Sequence, residues 1–164
     1  YVIPVWLDVG WAHWFERREG DYNTYCFNES GDPPRFTNGD WRPKIRTMVT
    51  TGGAPELEEF FGKTSLGEFT GDEHGICYGM VDYLIRERCE GLGTFTRIRR
   101  QTKGTQRAHF REAWGESPTM FYERARAWIK ESYAKKNRLA LRQPPAVLKS
   151  GDPPTDREAK TKEE

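Results

Sequence analysis

The chain has 164 residues, 35% hydrophobic and 31% charged, with 26 basic against 25 acidic side chains and a net charge of +1. Near neutrality excludes binding driven by the charge of the whole chain, and no apolar run is long enough to span a bilayer. The aromatic share of 13% (six Trp, seven Tyr, nine Phe) excludes a fully disordered chain despite a mean hydropathy of −0.88, and predicts a folded core with polar flanks.

The predicted elements run as follows. Pro4 suits the first turn of a helix, where its missing N–H costs nothing. Trp6, Leu7, Gly10, Trp11, Trp14 and Phe15 recur at three- and four-residue intervals, which predicts an amphipathic helix ending near Gly20. Residues 21–54 are rich in Asn, Asp, Gly and Pro and read as a long irregular loop, with a short strand near 45–50. Pro55 opens a short helix through Phe61 that Gly62 stops. Asp72 is the expected N-cap of a helix over 73–89, whose broad stripe of Ile76, Cys77, Met80, Val81, Tyr83, Leu84 and Ile85 marks it as buried. Gly91-Leu92-Gly93 reads as its break, before a helix from Thr94 to Thr102 with Phe95 and Ile98 inward. Thr105 caps a helix through Trp114 that Gly115 ends. Ser117 and Pro118 start a final helix to about Lys136 that presents Met120, Phe121, Ala125, Trp128, Ile129 and Tyr133. The paired prolines and charged residues of 142–164 read as a disordered tail. The expected fold class is all-α: a helical domain over 1–141 with a large irregular insertion.

The start at Tyr1, without Met or a signal-like apolar stretch, is what a processed product or a fragment shows. Cys26, Cys77 and Cys89 are odd in number, widely spaced and without CxxC, so they read as buried or free thiols rather than zinc ligands.

The segment Trp6-Leu7-Asp8-Val9-Gly10-Trp11-Ala12-His13-Trp14-Phe15-Glu16, with Pro4 before it, resembles the second conserved helix of the peptidase MA-like gluzincin zinc metallopeptidases. Downstream, Phe60-Phe61, Phe69, the helix with Tyr78 and Tyr83-Leu84-Ile85, Phe110 to Ser117, and Trp128 follow the order of that family. The resemblance covers about residues 4–135 and implies the family's C-terminal helical subdomain, and export in bacteria. It also implies a zinc-ligand glutamate where this chain has Val9, and a His-Glu-x-x-His helix that is absent from these residues. Valine has no lone pair for a metal, and a hydrolytic zinc needs three protein ligands. The expected function is therefore a non-catalytic scaffold or protein-binding subunit with no cofactor of its own. Its partner would be a protein or peptide held on a cleft wall built by Trp6, Trp11, Trp14, Tyr83, Trp114 and Trp128. The alternative is the C-terminal part of a secreted zinc metallopeptidase whose His-Glu-x-x-His lies upstream. A further alternative is a small subunit of an assembly, with 21–54 and the tail ordered by the partner.

Two other features carry chemistry. His13 and Glu16 share a helix face, and His74 follows Asp72-Glu73, so a metal cluster would need tertiary convergence; His13, His74 and His109 otherwise read as ordinary, partly exposed histidines. Residues 91–111 hold Arg97, Arg99, Arg100, Lys103, Arg107 and Arg111 and no acid, which suits an anion or nucleic acid, although Glu87, Glu90, Glu112 and Glu116 flank the stretch and stand ready to neutralise it. The exposed aromatics of a single-strand groove are not interleaved there.

Overall fold

The computed structural model describes residues 3–21, 23, 36 and 39–133. Among them are seven α-helices: α1 (Val5–Gly20), α2 (Arg42–Thr50), α3 (Leu57–Phe60), α4 (Gly71–Glu87), α5 (Glu90–Gln101), α6 (Gln106–Trp114) and α7 (Pro118–Ser132). The fold class is all-α. Tail residues 142–164, Cys26 and the end of the last helix at Lys136 lie outside the described residues.

Helix α4 is the axis of the packing. It contacts α1, α2 and α7, while α5 packs on α6 and α6 on α7. Its start is a capping box: the Thr70 hydroxyl accepts from the Glu73 N–H at 3.3 Å, and the Glu73 carboxylate accepts from the Thr70 N–H at 2.7 Å. The cap is therefore Thr70 and not Asp72, because the reciprocal bond needs a hydroxyl three residues before the glutamate. Ile76, Cys77, Tyr78, Met80, Val81, Tyr83 and Leu84 are all buried, so neighbours cover α4 on every side.

The closest approach is between α1 and α4. A Cβ on Gly10 would lie 2.3 Å from the Cys77 carbonyl oxygen, so glycine lets one helix backbone lie against the other. Gly79 similarly admits Ile129 of α7, whose Cδ1 would stand 2.7 Å from an added Cβ.

Three expectations are corrected. Within the segment read as an irregular loop, 42–50 is helix, and so is the stretch read as a strand near 45–50. Ile45, Met48 and Val49 have helical spacing and are buried, Pro43 sits in the first turn, and the Asp40 carboxylate accepts from the Arg42 N–H at 3.1 Å. Thr47 and Thr50 face outward and Val49 faces the core, in a helix docked on α4 and α7. Next, Gly91-Leu92-Gly93 does not break a helix; it opens α5, which starts at Glu90 rather than Thr94. Gly91 is there because the Trp114 indole covers it: an added Cβ would be 2.3 Å from Nε1. The break falls earlier, at Arg88, whose side chain bonds Glu90, Glu116 and the Trp114 carbonyl and holds the corner. Finally, α3 starts at Leu57, two residues past Pro55. The caps by Thr105 on Ala108 and by Ser117 on Met120 match their expectation, as does the left-handed Gly115 (φ 71°) after α6.

Gly10→Ala is expected to destabilise the protein by about 1–3 kcal/mol, because the obstacle is a carbonyl oxygen of a buried helix and has no rotamer to escape into. The midpoint of urea unfolding followed by circular dichroism measures it.

Candidate functional site

Helix α1 carries the residues singled out by sequence. Its inner face is Trp6, Leu7, Val9, Gly10 and His13, all buried. Trp11 and Trp14 are half-buried against the core, and Phe15 is 45% exposed. Trp11 stacks on Phe15 with centroids 6.2 Å apart, Trp14 meets Phe15 edge-on at 5.4 Å, and the Arg18 guanidinium lies 5.5 Å over Trp14. Of the six aromatics expected to build the core and cleft wall, Trp6, Tyr83 and Trp114 are buried, whereas Trp11, Trp14 and Trp128 pack only in part.

Trp14 is anchored by its polar edge. Its indole N–H donates to Asp82 Oδ1 at 3.2 Å. The same oxygen accepts from Arg86 Nε at 2.7 Å, and Oδ2 accepts from the Tyr133 hydroxyl at 2.9 Å. Asp82 is buried, and these donors from α1, α4 and the end of α7 satisfy its charge. Burial, with Asp82 beside it, pushes the Tyr133 hydroxyl well above the usual tyrosine range, which keeps it a donor.

His13 is the convergence that sequence left open. It is 4% exposed, not a partly exposed surface residue. Its Nδ1 lies 2.8 Å from Glu16 Oε2, and its Nε2 lies 3.0 Å from Nδ1 of His74, 61 positions away on α4. Trp41 lies against its ring at 4.5 Å, and Asn23 donates to its carbonyl at 2.7 Å. The chemistry orders the donors. A carboxylate only accepts, so His13 Nδ1 carries the proton and Nε2 accepts. His74 Nδ1 must then donate, which leaves the lone pair of the half-buried His74 on Nε2. Phe69 meets this ring edge-on at 6.0 Å. With both rings neutral the chain Glu16–His13–His74 is complete, each donor facing one acceptor, and the free His74 Nε2 stays outside it. Burial lowers the pKa of both; for His74, burial first and then the neighbouring His13 bring it to about 4.

The third histidine is also buried. His109 Nε2 lies 3.1 Å from the Thr102 hydroxyl, and the ring fills the turn at Gly104, so it packs the α5–α6 connection. It was read as partly exposed, and the reason for the difference is that its turn folds back over it. Cys77 is buried and free, and Cys89 is exposed and free.

The described residues do not fit the zinc implied by the resemblance. Position 9 holds a buried isopropyl group with no lone pair, and His13 and His74 spend their facing nitrogens on each other. Among the described residues, no group of three His, Cys, Asp or Glu stands close enough to hold a metal ion.

The basic stretch forms a separate surface on α5 and α6. Arg97, Arg100, Lys103, Arg107 and Arg111 are exposed, and Arg99 is half-buried with its guanidinium 5.9 Å over Phe95. Of the flanking acids, Glu112 stays beside Arg107 and Arg111, while the other three turn to other partners. Glu90 and Glu116 pair with Arg88, Glu116 also pairs with Arg124 at 3.1 Å, and Glu87 accepts from Trp128. Arg107 reaches Glu58 on α3 at 3.5 Å between two exposed side chains, a weak pair. The structure thus brings Trp11, Trp14 and His13 together on α1 and the cations together on α5–α6, but α1 packs on α4 and the cations lie on the other helical pair. Asp82 and the His13–His74 bond were not legible as sites, since each is made by residues more than 50 positions apart.

Comparison of the chain with protein-family models, curated proteins and solved structures gives no match.

Because His74 binds its proton more weakly in the folded protein than in the unfolded one, unfolded chains take up more protons below about pH 6.5. Stability is expected to fall as the pH drops from 6.5 through about 4, and to be unaffected by this group above that window. Denaturation midpoints at pH 7, 5.5 and 4.5 test this; His74→Gln, which has no such proton, should show a flatter profile.

Proposed function

We propose that this chain is a non-catalytic helical module of peptidase MA-like type that serves as a scaffold for a protein partner through the outer face of α1. One observation carries the reading: α1 keeps the aromatic frame of the resemblance, while its ligand position is a buried Val9 packed into the core. The valine contributes to folding and has no donor for a metal. The outer stripe of Trp11, Trp14 and Phe15, with Arg18 at its edge, offers the rigid aromatic area and the guanidinium that dominate binding energy at interfaces. Neighbouring buried anchors hold it: Trp14 is pinned to Asp82 and His13 to His74, so little ordering is left for binding to pay.

The natural protein, purified under native conditions, is expected to run on size-exclusion chromatography with light scattering as a complex larger than the chain. Trp11→Ala with Phe15→Ala should weaken that complex by about 2 kcal/mol or more, about thirtyfold in affinity, without changing helical content. Stoichiometric zinc with zinc-dependent cleavage of a fluorogenic casein substrate would overturn the reading, as would a complex indifferent to both substitutions.

A further inference from the structure

The outer side of α6, with the cations of α5 before it in the chain, has two properties that the α1 face lacks. The first is unbalanced charge. Arg97 and Arg100 lie one turn apart on α5, Lys103 is in the connection, and Arg107 and Arg111 lie one turn apart on α6; all five are exposed. Among the described residues, Arg97, Arg100, Lys103 and Arg111 have no carboxylate within ion-pair distance; Glu90 and Glu116 are committed to Arg88 and Arg124, and Glu112, beside Arg111, lines the groove. The second is shape. Arg107, Ala108, Arg111 and Glu112 of α6, with Ser117 and Pro118 at the start of α7, line an open groove of about 460 Å³. Ala108, Pro118 and the aliphatic stems of the arginines make its walls apolar.

We infer that this surface binds an extended acidic peptide segment of a protein partner, one that places an aliphatic side chain in the groove and carboxylates on Arg107 and Arg111. The spacing of these two arginines, about 6 Å between Cβ atoms, matches carboxylates projected from one short segment, and each guanidinium offers a bidentate fork to a carboxylate. Several features favour a peptide over a nucleic acid. The aromatics of the stretch, Phe95 and Phe110, are fully buried, and Trp114 is nearly so, so no ring is left for a base to stack on. Glu112 lies in the groove itself and interrupts the positive track that a continuous phosphate backbone follows. The small apolar groove suits a Leu or Ile side chain and has no use for a phosphate. The inference adds a second contact surface and does not depend on the α1 face.

The experiment is fluorescence anisotropy of the full chain with a labelled peptide alternating pairs of glutamate with single leucines. Parallel titrations use oligoglutamate of equal charge and a single-stranded DNA oligomer. Saturable binding of the Glu/Leu peptide is expected, tighter than both other probes. It should weaken about tenfold or more in Arg107→Glu with Arg111→Glu, and steeply between about 0.05 and 0.5 M salt. Arg107→Gln with Arg111→Gln serves as a milder pair should charge reversal disturb folding, and circular dichroism checks both. Trp11→Ala with Phe15→Ala should leave this binding unchanged, so failure here and failure of the α1 reading are told apart. No saturable binding, equal binding of oligoglutamate, tighter binding of DNA, or indifference to both arginine pairs overturns the inference.

Discussion

The approach of α1 to α4 at Gly10 sets the rest of the structure. Because no side chain separates that glycine from the Cys77 carbonyl, the two helices lie close enough for short polar side chains to meet across them. His13 reaches His74 with a single hydrogen bond, and Trp14 reaches Asp82, both from the turn after the glycine. A larger residue at position 10 would push α1 outward and open both bonds together. Close packing and polar pairing are thus one constraint: native cores transmit sub-ångström shifts because they have little empty volume.

Charge is tolerated inside this small protein where it is paired. Asp82, Glu73 and Glu116 are buried, and each is met by at least one cation: Arg86, Lys63, and Arg88 with Arg124, respectively. Two of these pairs also join separate pieces of the chain, while Asp82 and Arg86 lie one turn apart on α4. Lys63 brings the loop before α4 to its capping box, and Glu116 closes the α4–α5 corner against the start of α7. Such pairs add little net stability compared with apolar contacts, but their unpaired alternatives are costly, so they select one arrangement of the helices. The buried histidine pair joins α1 to α4 in the same way, and burial, which disfavours the charged form, makes it depend on pH.

The two surfaces differ in how they are built. The α1 face is aromatic and held in place from below by buried bonds. The α5–α6 face is cationic, and its arginines project from two short helices whose inner sides, Phe95, Ile98, Phe110 and Trp114, are spent on the core. Helical period forces this division: inward aromatics at every third or fourth position leave the intervening positions for charge.

Much of the fold was legible in the residues. The spacing from Trp6 to Phe15, the apolar breadth of α4, and the caps at Thr105 and Ser117 are local signals, since a helix bonds within itself and its stripe and caps lie within a few residues. The absence of a ligand at position 9 is likewise a fact of sequence. What sequence misplaced depended on distant neighbours. Helix α2 was hidden by the Asn, Asp, Gly and Pro around it, and its stability comes from docking Ile45 and Val49 on α4 and α7. Gly91 looked like a stop, but the indole of Trp114 explains it. The burial of His13, its bond to His74, and the pairing of Glu90 and Glu116 away from the basic stretch were decided only by tertiary structure. Burial and hydrogen bonding between residues tens of positions apart depend on how whole helices cross, and a linear pattern carries no record of that crossing.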